Sequence, residues 1–561
     1  MEIRKEIRDK LDKYYQKIHI NDFSSFIKSD FRDGQLFDLS EERAYKNIEE
    51  SREMIRRIDC WLTEKDISWE EQTILKICRD FCEYIIRNGK YYWFKFNLTH
   101  NTTPLPYVVK RLETYPLEGK EDLVFYEELL RQFPQKLEEM MEKVRSQKEK
   151  GILMPAEQVE IVINLLTSLK CAPDTALKPW NRKDIKLSVS VAMQEQIEKE
   201  IEEFNDTLDR MIQEMKTEYL PDAARILPGL CHVRGGEEYY RQQIITYTSY
   251  PLEPEELQKI GYENLEITRE KMRRIIHKLG MNCDVEEFQE YLRKNKIYYD
   301  RTPQELQRRF DDIQKKIEPR LPKFFIRMPK AGCRCQALPS NKEGTTSWGY
   351  YSVPIGEEKE GIFYYSAAEL DKRSQIRTAA IVAHELLPGH HFQTNLIAED
   401  ESLPMICREH FNTAYADGWA EYAADLAEEM GVYNLYDLYG RYVWDLVLCC
   451  RLIVDTGLNA MGWSIQEARR FMKKNTNLTD KEIFMETLRY SVDMPAQALA
   501  YKYGSLKMHE YRSRAQEKLG EDFRIQEYHD EILKYGSAPL NILDEIVDHY
   551  IFADKRREVR V

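Results

Sequence analysis

From Ile3 to Tyr219, apolar residues return every three or four positions while charged residues fill the other faces. That spacing is the mark of one buried stripe on an α-helix. Ile3 to Ile18, Ser40 to Leu62, Trp69 to Asn88, Leu123 to Lys150 and Val189 to Tyr219 are predicted helices, punctuated at Pro104-Leu105-Pro106, Pro155 and Pro221. Their apolar positions keep no strict heptad, so globular helix packing is expected rather than a coiled coil. Glycine is scarce (23 of 561 residues) and 32 % of residues are charged, which also favours long helices over a glycine-rich sandwich or barrel. A chain of this length exceeds one ordinary core, and two lobes are expected, 1–225 and 226–561.

The helical pattern continues through Pro251 to Gly280 and Val285 to Pro319, with starts at Pro254 and Pro303, each followed by acids. Then the texture changes. Phe324 to Met328, Gly349 to Val353 and Gly361 to Ser366 are β-like, and the last two flank Pro354 to Glu360 as a hairpin loop. A small antiparallel sheet over about 322–366 is therefore expected, with helices resuming from Ala367. The fold class is mainly α, two-lobed, with the sheet beside a helix over about 375–393 and a deep central cleft.

That helix carries the chemistry. Ile376 to Gln393 reads IRTAAIVAHELLPGHHFQ. Two histidines one turn apart can grip one zinc ion, and a glutamate beside the first can act as general base. Here His384 and His390 are six residues apart, a rotation of about 600° that puts them on different faces of an ideal helix. Pro388-Gly389 lies between them. Proline kinks a helix and glycine tolerates unusual backbone angles, so a looped-out turn there would bring His390 back. His391 returns to the right face but lies about 10 Å along the axis. A third ligand is sought downstream in Tyr415-Ala416-Asp417-Gly418-Trp419-Ala420-Glu421. Asp417 and Glu421 share one helix face; either could ligate while the other orients a histidine.

HELLPGHHFQ followed by DGWAEYAADLAEEMG resembles the bacterial domain-of-unknown-function family 885, which carries HExxPGHH and then EGWAxYxE. Further matches follow in order. Arg451 to Leu458 is similar to the family's RxxxDxGLH. Arg489-Tyr490, Pro495, Gln497 and Tyr501 to Gly504 are similar to RYxxxPxQAxxYxxG. Phe523 to Leu540, with His529, Gly536 and Pro539, is similar to FHDxxLxxGxxPL. The resemblance runs from about residue 230 to the C-terminus. It implies a gluzincin-like, mostly helical zinc peptidase with His384, His390 and Asp417 as ligands of one zinc ion and Glu385 as general base. Two positions depart from the family: Asp417 stands for its glutamate, and Asn459 for the histidine after GL.

Peptide hydrolysis also needs a stabilised oxyanion, and Tyr490 and Tyr501 are candidates. An exopeptidase acting at a C-terminus must neutralise a carboxylate, for which Arg489, Arg451 and Lys502 are candidates, Arg451 being read first as a structural ion pair. Trp348 to Val353, including Tyr350, is a candidate edge for an extended peptide. The expected function is a zinc-dependent metallopeptidase of short peptides, of carboxypeptidase or peptidyl-dipeptidase type. The alternatives are a metal-dependent hydrolase of a non-peptide amide or ester, and an inactive helical homologue suggested by Asp417 and Asn459. A formal charge of −14 excludes a nucleic-acid partner of ordinary kind. No run of about 18 apolar residues occurs, so no membrane span is expected. The N-terminal sequence shows no secretory signal, and eleven cysteines without zinc-ribbon spacing point to free thiols in a reducing cytoplasm. Oligomeric state is left open by the sequence.

Overall fold

The computed structural model describes residues 3–19, 36–338, 349–354 and 359–558, with side chains to 552. The chain is mainly helical with one small sheet. The expected N-terminal helices form at Lys5–His19, Glu41–Leu62, Trp69–Lys90, Lys120–Glu149 and Val191–Glu214. Their starts follow local chemistry. Ser40, Ser68 and Ser190 each accept a hydrogen bond from the third helical residue, which satisfies one of the otherwise unpaired amides of the first turn.

The first 225 residues divide between two cores. Ile7, Leu11, Ile58, Ile74 and Phe81 pack in the same core as Ala383, Trp419, Tyr511 and Leu543. A second core gathers Leu105, Tyr126, Phe133, Phe204, Leu208 and Tyr219. Its members come from the stretch between Leu36 and Ala223, with Val492 added from the C-terminal half. Hydrophobic stripes show that a helix must be covered but not by which partner; here the first helices are covered by residues of the C-terminal half. The two halves are bridged where Asn101 donates to Asp493 at 2.6 Å and Arg469 to Glu157 at 2.8 Å.

Helix α1 (Leu105–Glu113) belongs to the second core, and α2 (Pro303–Ile317) backs the sheet. The sheet is mixed rather than antiparallel. Its strands β1 (Gly332–Ala337), β2 (Gly349–Ser352) and β3 (Glu360–Tyr365) lie in the order β1-β3-β2, β1 being parallel and β2 antiparallel to β3. Phe324 to Met328 is not a strand. Phe325 instead buries its ring between Phe392 (4.4 Å) and His529 (4.8 Å). The real first strand is GCRCQA, whose mixed cysteines and charges hide it from a hydrophobicity reading. Its outer edge is occupied by α2: Gln307 donates to the Cys335 carbonyl at 3.0 Å and Gln314 to that of Cys333 at 2.9 Å. The hairpin reading of β2 and β3 stands as an antiparallel pair; residues 355–358 of its loop, and Trp348, lie outside the described residues.

After the sheet come α3 (Thr378–Glu385), α4 (His390–Ala398), α5 (Thr413–Glu429), α6 (Leu435–Asn459) and α7 (Leu499–Leu519). Helices α5 and α7 cross at two glycines. A Cβ on Gly504 would stand 2.3 Å from the Ala414 carbonyl, and one on Gly418 2.6 Å from the Gly504 carbonyl carbon. Only bare backbone permits that approach, and it brings the start of α7 beside Asp417.

Candidate metal centre

The expected helix over 375–393 is two helices. Leu386 leaves the helical region (φ −112°, ψ −88°), and the Val382 carbonyl accepts from both Leu386 (3.0 Å) and Leu387 (3.3 Å), closing α3. Leu386 to Gly389 loops out, and α4 opens at His390. The loop folds back on the helix it has left: a Cβ on Gly389 would lie 1.8 Å from the His384 carbonyl oxygen. The Trp419 indole of α5 pins the loop by donating to the Pro388 carbonyl at 2.9 Å. The result sets the His384 and His390 rings 4.8 Å apart and nearly perpendicular (85°).

Asp417 meets them from α5. His384, His390 and Asp417 each offer a ligand atom within 4.8 Å of the others. His390 Nε2 lies 3.3 Å from Asp417 Oδ1, and the side chains are 12 %, 12 % and 6 % exposed. His390 Nδ1 is buried without a hydrogen-bond partner among the described residues. Buried polar atoms are ordinarily paired, so an orphaned nitrogen in such a cluster suits a metal ligand.

Glu421, one turn beyond Asp417, takes another place. Its Oε1 is 3.1 Å from His384 Nδ1 and accepts from the Trp444 indole at 2.8 Å, while Arg441 lies 3.0 Å from Oε2. Glu421 therefore stands beside His384, although His384 Nδ1, like His390 Nδ1, is buried without a hydrogen-bond partner among the described residues. Burial raises the Glu421 carboxyl, but Arg441 and then His384 outweigh it and hold the group below the usual range. Burial also pushes His384 down, and Glu421 reverses this to lift it to about 9. Arg441 and Trp444, three residues apart on α6, were missed in the sequence; a charged and an indole side chain on so apolar a helix were the available signal.

Glu385 sits at the end of α3 between this group and the sheet, within the electrostatic reach of His384, His390, Cys335 and Tyr351. Burial raises its carboxyl, partly opposed by the two histidines. His391 is not in the group. Its Nδ1 meets the Tyr351 hydroxyl at 2.9 Å and its Nε2 the Ala331 carbonyl at 3.1 Å, so the ring ties α4 to β2 and to the residue before β1.

Of the two tyrosines, only Tyr501 adjoins the group. Burial raises its hydroxyl first, and the nearby Asp417 charge adds to this. The Tyr490 hydroxyl is spent on Glu486, in a fully buried position. Arg451 makes the expected ion pair, side-on to Glu486 at 2.9 and 3.0 Å. Arg489 donates to Gln497 at 2.8 Å and to Glu486 at 3.4 Å. Lys502 is corrected: its ammonium is buried against Asp445 at 2.7 and 3.0 Å, out of reach of a substrate. Lys502→Met removes the ammonium that Asp445 faces and leaves this buried carboxylate with the Thr268 hydroxyl as donor and Arg441 in electrostatic reach. It is expected to cost about 3–5 kcal/mol in chemical denaturation, most of it recovered by adding Asp445→Leu. Tyr350 is 43 % exposed on β2 and its ring lies 5.4 Å from that of Tyr364, tilted by 35°, with Tyr107 of α1 in electrostatic reach. Asn459, at the family's histidine position, binds the Leu230 amide, the Asp455 side chain and the Tyr490 carbonyl, and so knits helices together. Phe411, half exposed and 6.0 Å from the His390 ring, marks a solvent-facing side of the centre.

The family described as "Bacterial protein of unknown function (DUF885)" matches residues 24–547. The chain belongs to this family. The match begins some 200 residues earlier than the motifs alone indicated. Among solved structures, the chain is similar to a candidate lipoprotein from Colwellia psychrerythraea, with 20 % identity, 98 % of each chain covered and a TM-score of 0.85. It is also similar to a candidate lipoprotein of unknown function from Shewanella oneidensis, with 15 % identity, 96 % of this chain and 98 % of that one covered, and a TM-score of 0.73. An M32 carboxypeptidase from Deinococcus radiodurans R1 matches at 10 % identity over 96 % of this chain and 95 % of that one, with a TM-score of 0.42. The likenesses to the Colwellia and Shewanella proteins concern the fold. No curated protein sequence matches. No described helix is long and apolar enough to cross a membrane.

Proposed function

We propose that this DUF885 member is a zinc-dependent peptidase acting on short peptides. The observation that carries the reading is the convergence of His384, His390 and Asp417 within 4.8 Å, with Glu385 beside them. Two imidazoles and one carboxylate are the donor set of a catalytic zinc site that keeps a position open. Zinc held there would polarise the scissile carbonyl and make water acidic enough to attack at neutral pH.

The remaining work falls to the chain. Glu421, fixed by Arg441 and Trp444, keeps the His384 ring in place. Glu385 accepts the proton from the attacking water and delivers it to the leaving amine as the C–N bond breaks. Tyr501 donates to the oxyanion, a role supported by its electrostatic reach to Asp417. The edge strand β2 with Tyr350 is the candidate rail for the peptide backbone. All eleven cysteines are free, which supports a reducing cytoplasm as the site of action.

Elemental analysis of the purified, zinc-reconstituted protein tests the reading. One zinc per chain is expected, lost in His390→Ala and retained in His391→Ala. Absence of zinc from the wild type, or its loss only with His391→Ala, would overturn the assignment.

A further inference from the structure

Beside the candidate metal centre lies a second polar cluster that the hydrolytic step does not use. Its hub is Glu486, whose carboxylate accepts from Arg451 Nε (2.9 Å) and Nη2 (3.0 Å), from Arg489 Nη1 (3.4 Å) and from the Tyr490 hydroxyl. One carboxylate thus accepts from two guanidinium groups. The Asp455 oxygens are occupied by Tyr240, Asn459 and the Ala496 amide, and Asp493 Oδ2 by Asn101, with His100 at 3.5 Å, while Asp493 Oδ1 is buried without a partner among the described residues. Both acids lie within electrostatic reach of Arg489 without hydrogen-bonding to it.

The arginines also carry donors that nothing satisfies. Arg451 Nη1 and Arg489 Nε are buried with no hydrogen-bond partner among the described residues. The Arg451 side chain is 5 % exposed, clamped between Trp444 (4.9 Å) and Tyr501 (4.7 Å), while Arg489 is 17 % exposed. An unsatisfied donor on a buried cation is costly, and guanidinium is the group best shaped to take a carboxylate. Arg489 is held ready for it: Gln497 accepts from its Nη2 at 2.8 Å and in turn reaches the Tyr501 hydroxyl at 3.4 Å. Tyr501 then links the two sites, lying over Arg451 on one side and in the field of Asp417 on the other. Trp444 joins the two clusters by geometry, donating to Glu421 beside His384 at 2.8 Å and lying 4.9 Å from Arg451.

We propose that Arg489, backed by Arg451 and positioned by Glu486 and Gln497, recognises the free C-terminal carboxylate of the substrate, so that the enzyme removes residues from peptide C-termini. This rests on the peptidase reading above. An acidic side chain of the substrate offers the same chemistry, and the experiment separates the two sources.

The zinc-reconstituted protein is assayed on an N-acetylated tripeptide without acidic residues, as free acid and as C-terminal amide, and on the amide with one glutamate added. The wild type should cleave the free acid at least about 100-fold faster, by kcat/KM, than either amide. In Arg489→Met the ratio of free-acid to amide rates should fall toward one, with Arg489→Lys between; matching thermal melts show that the variants fold. In parallel, calorimetry measures N-acetylphenylalanine and its amide binding to zinc-loaded Glu385→Gln protein. The acid should bind, the amide should not, and adding Arg489→Met should abolish the difference. Equal cleavage of acid and amide would overturn the proposal and leave the peptidase reading intact. Preference for the glutamate-bearing amide would overturn it in favour of a side-chain carboxylate. If no peptide is cleaved yet the acid binds through Arg489, the carboxylate site stands and the peptidase reading falls.

Discussion

Replacing Glu385 with glutamine is expected to lower kcat on a cleavable peptide by about 10²–10⁴-fold, the range for a lost general base, with zinc content and melting temperature unchanged. The prediction follows from position. Glu385 ends α3 one residue after His384, close enough to His384 and His390 for both to stabilise its charged form, yet it is not among the three side chains that offer ligand atoms to one point. The amide keeps the volume and removes the proton acceptor. KM should change little, because the carboxylate is asked to act on water and on the departing amine. Steady-state kinetics alongside elemental analysis checks this. Loss of zinc together with activity would assign Glu385 to the metal, and undiminished turnover would remove it from the chemistry altogether.

Gly389→Ala is expected to be the most damaging conservative change near the site. The added methyl would sit 1.8 Å from the His384 carbonyl oxygen, 2.4 Å from its carbon and 2.5 Å from the Ala383 carbonyl oxygen. All three are backbone atoms, so no rotamer change relieves the contact, and the loop must move. Overpacking of this kind costs about 1–3 kcal/mol or more. Because the loop fixes the spacing of His384 and His390, zinc affinity should fall by about 10–100-fold, as when a group supporting a ligand is removed. Gly431→Ala is the control. Its positive φ of 68° makes alanine strained, but nothing lies within 4 Å of the new Cβ. It should cost about 1 kcal/mol and leave zinc binding alone. Thermal melts and competition with a zinc chelator read both variants; equal zinc affinity in the two would refute the spacing argument.

Much of the site was legible because it lies in short, composition-marked segments. The histidine–glutamate pair, the proline-glycine interruption and the acids Asp417 and Glu421 one turn apart are local facts, and the interruption correctly foretold that the helix would break. Helix ends were legible for the same reason: serines at positions 40, 68 and 190 cap helices through bonds to residues three away. Sequence did not separate the roles of Asp417 and Glu421. Both occupy one face of α5, and only the packing of α6 decides between them, since Arg441 and Trp444 engage Glu421 and hold it beside His384. Lys502 and Arg489 show the same limit. Each is a basic residue in a motif, but Asp445 on α6 buries one while the other keeps an unmatched donor.

The sequence by itself determined the helical class, the break at Pro388-Gly389 and the residue types gathered at the centre, because helix period, backbone restriction and ligand chemistry act over a few neighbouring residues. The tertiary structure decided the mixed sheet, the division of the N-terminal helices between two cores, the employment of His391 as a tie to Tyr351 and Ala331, and the pairing of each buried charge. Those outcomes depend on which surfaces meet at close range. A buried charge or amide must find its partner among residues tens to hundreds of positions away, from 57 for Lys502 and Asp445 to 229 for Leu230 and Asn459, and that choice is made by packing rather than by spacing along the chain.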